Sequence, residues 1–138
     1  MIDLSGDFGR HVAQRLQDEK VIWLTTVAAD GTPQPNPVWF YWDGETILIY
    51  TQPKSAKLKN IARNPRVSLH FEGATPPGGD VVVLTGEAFV EASSPAPDPA
   101  YIDRYCQVIP ELGYTVDQMY REYSVTLRVR PTRVRGFI

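Results

Sequence analysis

One cysteine, two histidines and no apolar stretch longer than a strand leave this 138-residue chain poorly supplied for disulfides, metal sites or membrane spans. A lone Cys106 excludes an intramolecular disulfide and has no neighbours at metal-ligand spacing. Set among Tyr101, Ile102, Tyr105 and Val108, it reads as helix packing. His11 lies beside Arg10 and Gln14 on a helix and His70 alternates out of a strand, neither with a partner at catalytic spacing. There is no Ser/His/Asp order, no Walker loop and no GxGxxG, so an in-built nucleophile and metal catalysis both lack residues to carry them. No catalytic residue and no metal ligand is therefore assigned. A formal net charge of -2 argues against a general nucleic-acid binder. With no visible signal peptide or membrane span, the expectation is a protein of the reducing cytoplasm with no membrane partner.

What the chain does have is a basic, acid-free stretch. Between Thr46 and Phe71 no Asp or Glu occurs, while Lys54, Lys57, Lys59, Arg63 and Arg66 are all cationic. The order is a buried strand (Ile47, Leu48, Ile49, Tyr50), a turn at Pro53, and a short helix entered through Ser55, whose hydroxyl can cap the first amides. Leu58, Ile61 and Ala62 share one helical face, which leaves Lys57, Lys59, Asn60 and Arg63 towards solvent or its margin. Free amides at a helix start, joined by Thr51, Ser55 and two lysines, suit a phosphate. The plain alternative is a solvated amphipathic helix that happens to be basic.

The remaining pattern is mainly β, in one domain over residues 1–138. A helix from Asp7 to Lys20 precedes a strand from Val21 to Ala29, and Asp30-Gly31 is a hairpin signal. The next strand, about Thr32 to Trp42, carries Pro33, Pro35 and Pro37, three missing N–H donors along one edge. Asp43-Gly44 turns the chain into the Ile47 strand, which predicts a three-strand meander. Further strands are expected at Val67 to Glu72 and at Asp80 to Ala92, with Val82, Leu84, Ala88 and Val90 on one face and Gly86 at a bulge. Two closing strands are expected, Ser124 to Arg130 and Arg133 to Ile138. Helices are predicted at Pro99 to Ile109 and Thr115 to Tyr123, and Gly73 to Gly79 and Ser93 to Pro99 as connections. Six or seven mostly antiparallel strands favour a closed or partly closed barrel, because closure removes unpaired edges.

A protein without its own acid–base set, offering a phosphate seat beside an incomplete strand edge, has the makings of a cofactor enzyme. A planar heterocycle could lie against the backbone at Pro37 to Trp39 while its phosphate reaches Thr51, Ser55 and Lys57. Trp39, Phe40, Tyr41 and Trp42 alternate to both faces, so at least two serve core or interface.

The ADGTPQPNPVWFYWDGE hairpin, the YTQPKSAKLKNIARNPRVSL segment, VVVLTGEA and the closing RVRPTRVRGFI, in that order and spacing, resemble the pyridoxamine 5'-phosphate oxidase-like split β-barrel proteins, and more closely their F420-dependent oxidoreductase branch. The resemblance implies a six- to seven-stranded antiparallel split β-barrel of the FMN-binding type. It also implies an intertwined homodimer with a flavin or deazaflavin in each cleft at the subunit interface. By position Thr51, Ser55 and Lys57 match phosphate-contacting residues, and Pro37, Val38 and Trp39 match the strand along the ring. Asn60, on the same helix, is counted with the cofactor-binding set. Where the flavin-using oxidase has three cations, this chain has Pro35, Phe40 and Ala56, which turns the resemblance towards coenzyme F420 and leaves FMN as the alternative. Lys54, Lys59, Arg63 and Arg66 would suit an acidic tail passing within roughly 8–10 Å.

The expected activity is hydride transfer from reduced F420 to a small organic acceptor, with Tyr41 or Tyr50 as candidate proton donors. Acceptor choice would fall to a rim made by the Gly73 to Gly79 loop and the helices near Tyr101 and Tyr120. Other readings are an FMN reductase or oxidase, a non-catalytic flavin or tetrapyrrole carrier, and a barrel docking acidic partners through Arg128, Arg130, Arg133 and Arg135. For that last cluster a solvated strand face is the simpler account.

Overall fold

A computed structural model describes residues 2–73, 79–92 and 96–138. Its strands are β1 (Val21–Val27), β2 (Pro33–Trp39), β3 (Tyr41–Trp42), β4 (Ile47–Thr51), β5 (Arg66–His70), β6 (Val81–Val90) and β7 (Val125–Phe137). They form one antiparallel sheet in the order β2-β1-β5-β6-β7-β4-β3. This is the mainly β split-barrel architecture expected. The helices are α1 (Gly6–Asp18), α2 (Ala56–Arg63), α3 (Pro99–Tyr105) and α4 (Val116–Glu122), with a 3₁₀ turn at Ile109–Leu112.

Strict alternation builds the sheet's inner face. Ile22 and Leu24 of β1, Leu69 of β5, Leu84 of β6 and Leu127 and Val129 of β7 are all essentially inaccessible, and Val12 and Leu16 of α1 join the same core. A second cluster is tyrosine-rich: Tyr101, Tyr105, Ile109 and Met119 pack on Leu48, bordered by Tyr50, Tyr120 and Tyr123. Local signals start its helices. Asp98 accepts from the Ala100 amide with Pro99 at the first helical position of α3, and Thr115 with Gln118 closes a capping box on α4.

The predicted meander does not form. The second strand breaks at Phe40, so that β2 pairs with β1 while β3 crosses to pair with β4, and the two pieces end on opposite edges of the sheet. Phe40 is fully buried, and its backbone leaves the ladder because other groups satisfy it. Its N–H donates to Tyr105 Oη (2.9 Å) and its carbonyl accepts from Arg104 Nε (3.0 Å). Arg104 also donates to the carbonyls of Gln17 and Glu19, tying α3 to the end of α1.

The closing strands are one strand, β7, with a register shift opposite Thr85 and Gly86. The irregularity expected at Gly86 is there, but the extra residue is Thr132 on β7, next to Pro131, and β6 itself runs on without interruption. A Cβ on Gly86 would stand 2.2 Å from the Arg130 carbonyl oxygen, so the close approach needs glycine. Three burial expectations fail. Val90 is 53% exposed beyond the end of the core. Ala62 is exposed, and Cys106 is exposed at the C-cap of α3 rather than packed. Residues 74–78 and 93–95 of the two predicted connections lie outside the described residues. Among the described residues no helix is long and apolar enough to cross a membrane.

Candidate functional site

The sheet curls until β2 and β4, separated in the ladder by four strands, approach each other, and a cleft of about 390 Å³ opens between them. That lies within the usual range of roughly 300–1,000 Å³ for small-molecule sites. One wall is Asn36, Pro37, Val38 and Trp39 of β2. Thr51, Gln52, Ser55 and Lys57 form the end where β4 runs into α2, and Tyr50, Tyr101, Met119, Tyr120 and Tyr123 form an aromatic side, with Leu112 at the margin. Of the predicted cofactor residues, the fold brings Pro37, Val38, Trp39, Thr51, Ser55 and Lys57 around one cavity and leaves Asn60 off its wall. Hairpin adjacency does not join the two anchors. Curling of the whole sheet does.

Lys57 is the centre of the polar end. Its ammonium donates to Ser55 Oγ (3.1 Å) and Thr51 Oγ1 (3.3 Å), and burial pushes its pKa below the ordinary lysine value. Among the described residues it forms no ion pair with a carboxylate. Lys57 therefore turns into the cleft rather than to solvent. Ser55 does occupy the N-cap position of α2, but its side chain makes no capping bond, and its oxygen accepts from Lys57. A desolvated cation, two hydroxyls and the uncapped start of an eight-residue helix make a donor set that fits a phosphate. Ser55→Ala should thus leave the Tm of the ligand-free protein within about 1–2 °C, where loss of a working cap would cost about 1 kcal/mol. Thermal unfolding followed by circular dichroism measures this.

Asn60 is buried, 5% exposed, with its Nδ2 donating to Thr26 Oγ1 (2.9 Å) and Gln34 Oε1 (2.8 Å) and its Oδ1 accepting from Arg63 (3.1 Å). It faces the sheet, not solvent.

On the aromatic side, Tyr50, Tyr101 and Tyr120 hold their hydroxyls protonated at neutral pH. Burial pushes the phenol pKa values of Tyr50, Tyr101 and Tyr120 up. Tyr50 Oη accepts from the Asp98 amide (2.8 Å) and its ring meets those of Tyr101 and Tyr120 edge-on at 4.7 and 5.3 Å. Trp39 stacks on Tyr105 at 4.5 Å with the rings parallel to within 1°. Tyr50 lies on the cleft wall and Tyr41 does not. Asn36, Gln52, Leu112, Met119 and Tyr123 also line the cleft, beyond the residues expected from the sequence. A usable signal existed, since five of the chain's seven tyrosines fall between Tyr101 and Tyr123.

Both histidines are engaged elsewhere. His11 has a partner after all, Asp80 Oδ2 at 2.7 Å, and His70 stacks on Trp23 at 6.1 Å. No group of three metal-ligating side chains occurs among the described residues. In the basic strand, Arg128 is held by Asp43 (3.3 Å) and Glu91 (2.9 Å), and Arg130 lies over Phe89. The four arginines are therefore not one free cationic face.

Residues 8–137 match the family described as pyridoxamine 5'-phosphate oxidase. No curated protein matches the chain. Among solved structures, a protein described as F420 reductase is 30% identical, with a TM-score of 0.66 over 88% of this chain and 94% of that one. A conserved hypothetical protein from Mycobacterium tuberculosis is 26% identical, with a TM-score of 0.69 over 93% and 82%. The heme storage protein from Vibrio cholerae has a TM-score of 0.65 over 95% of each chain at 17% identity, a likeness of fold alone.

Proposed function

We propose, for a chain that belongs to the pyridoxamine 5'-phosphate oxidase family, that it is an oxidoreductase using reduced coenzyme F420 to deliver a hydride to a small organic acceptor. The observation that carries this reading is Lys57, a half-buried ammonium facing the cleft, with two hydroxyl partners and, among the described residues, no carboxylate. Its missing counter-charge is what a phosphate brings. The likeness to an F420 reductase favours the deazaflavin over other phosphate-bearing cofactors, as do Pro35, Phe40 and Ala56 in place of cations.

The prolines explain the other anchor. Pro33, Pro35 and Pro37 stand opposite Val27, Thr25 and Trp23 of β1. Proline has no N–H, so β2 can donate to β1 only through Gln34, Asn36 and Val38, and the backbone of the prolines and of Trp39 turns to the outer edge. That edge presents carbonyls alone until Trp39, where the first N–H appears beside the Pro37 carbonyl. A heterocycle with an N–H next to a carbonyl matches that acceptor–donor pair.

Bound there, a reduced deazaflavin supplies the hydride, and the chain's own residues hold and enclose it. Lys57, Thr51 and Ser55 would hold the phosphate, Pro37 to Trp39 would hold the ring edge, and the aromatic side of the cleft would exclude water. Tyr50 is the nearer candidate for returning a proton to the product. Lys54, Lys59, Arg63 and Arg66 would meet the acidic tail. A second copy of the chain would complete the mouth of the cleft, where Leu112 is 56% exposed, and the single free Cys106 suits a reducing cytoplasm. FMN is the second reading, since the polar end would take its phosphate equally.

Fluorescence titration of the purified protein with each cofactor separately is expected to show F420 binding at least about tenfold tighter than FMN, a difference of roughly 1.4 kcal/mol. FMN tighter by the same factor would overturn the assignment, and turnover of reduced F420 with added acceptors would separate an enzyme from a carrier.

A further inference from the structure

Helix α2 spans the gap that the sheet leaves open. Lys57 at its start is bonded to Thr51 of β4. Asn60, one turn later, is bonded to Thr26 of β1 and Gln34 of β2, which are partners in the β1/β2 register. The ladder gives β4 no neighbour among these strands, because β5, β6 and β7 intervene between it and β1. Two residues further along β2 from Gln34 the cleft wall begins at Asn36. We infer that Asn60 is a positioning residue: by clamping α2 to the Thr26–Gln34 pair it sets the width of the cleft, and so the span between the Lys57 anion seat and the Pro37–Trp39 edge. The inference rests on the reading above that one ligand occupies both.

The chemistry of the clamp is specific to an amide. Both Asn60 amide hydrogens and its carbonyl oxygen are engaged, by Thr26, Gln34 and Arg63, in a site where Asn60 is 5% and Thr26 1% exposed. Aspartate offers no donors there, and leucine of similar size offers no polar atoms. Two contacts on one ligand reinforce each other only while their spacing matches it. A clamp that slackens should weaken the linked molecule and leave each half unaffected.

Equilibrium binding of F420, of its phosphate-free deazaflavin fragment and of inorganic phosphate, each measured on the full chain, tests this. Asn60→Ala is expected to lower F420 affinity about 3- to 30-fold, as for two lost hydrogen bonds, with the affinities of the fragment and of phosphate each changing less than about twofold. Gln34→Ala removes only the exposed strand's half of the clamp, so it keeps the test valid if Asn60→Ala folds poorly. It should shift F420 in the same direction by about 2- to 5-fold. Parallel weakening of the fragments, or unchanged F420 binding in both variants, would overturn the inference. Lys57→Ala separates the two levels. If it abolishes the advantage of F420 over the fragment while the clamp variants keep it, the clamp is wrong and the anion seat stands. If the wild-type protein shows no such advantage, both fall.

Discussion

Replacing Lys57 by alanine should weaken F420 binding about 10- to 150-fold, the equivalent of the roughly 1.5–3 kcal/mol typical of a hydrogen bond to a charged group. The fragment lacking phosphate should be nearly indifferent to the change. The same substitution should not destabilise the ligand-free protein, because the ammonium is desolvated and has no carboxylate partner among the described residues. Its stability has a definite pH dependence. A lysine whose folded pKa lies below its unfolded value of 10.5 penalises the native state while both forms carry the proton. That penalty is relieved as pH rises through the folded pKa towards 10.5, where the unfolded chain binds more protons. Subtracting the Lys57→Met curve from the wild type, by urea unfolding between pH 7 and 10.5, should therefore show a rise with pH. The subtraction removes the opposite trend of the buried tyrosines, whose raised pKa values cost stability as the unfolded phenols ionise. A flat difference curve together with unchanged F420 affinity would remove the phosphate seat.

Phe40→Ala is expected to destabilise the protein by about 3–5 kcal/mol, as for large-to-small substitutions at buried aromatics. Phe40 is fully buried, its ring centroid lies 6.2 Å from that of Phe71, and the Arg104 guanidinium sits 5.1 Å from it. It also stands where the chain leaves one edge of the sheet for the other. Tyr105→Phe probes the same junction more gently. Tyr105 Oη accepts from the Phe40 amide and lies 2.8 Å from the carbonyls of Lys20 and Phe40, so losing it orphans the buried Phe40 N–H at about 1–3 kcal/mol. The two changes share partners and should not add. Urea denaturation should report lower midpoints with unchanged slopes, and a wild-type midpoint for Phe40→Ala would refute this account of the junction.

Strand identities were legible in the sequence because alternation is a local property. The strands expected at Val21 to Ala29 and Val67 to Glu72 are found at Val21–Val27 and Arg66–His70, right in kind and displaced by one or two residues at their ends. The crossing at Phe40 was not legible, since it depends on Tyr105 and Arg104, some 65 residues away. Within the site, Thr51, Ser55 and Lys57 are near in sequence, so their juxtaposition needed only a turn and the start of a helix. Asn60 was misplaced for an instructive reason. Helical periodicity counts an amide as polar and sends it outwards, whereas here two sheet residues offer acceptors that make its burial tolerable. His11 likewise lacked a visible partner, because Asp80 lies 69 residues away.

The proline-bearing edge of β2 carries one more consequence, for life at high protein concentration. A neighbouring molecule seeking to extend the sheet would need amide hydrogens at Pro33, Pro35 and Pro37, and finds none. Exposed over most of its length, this border should resist the strand-by-strand zippering that seeds fibrils, leaving the molecule protected where its outline is otherwise most vulnerable.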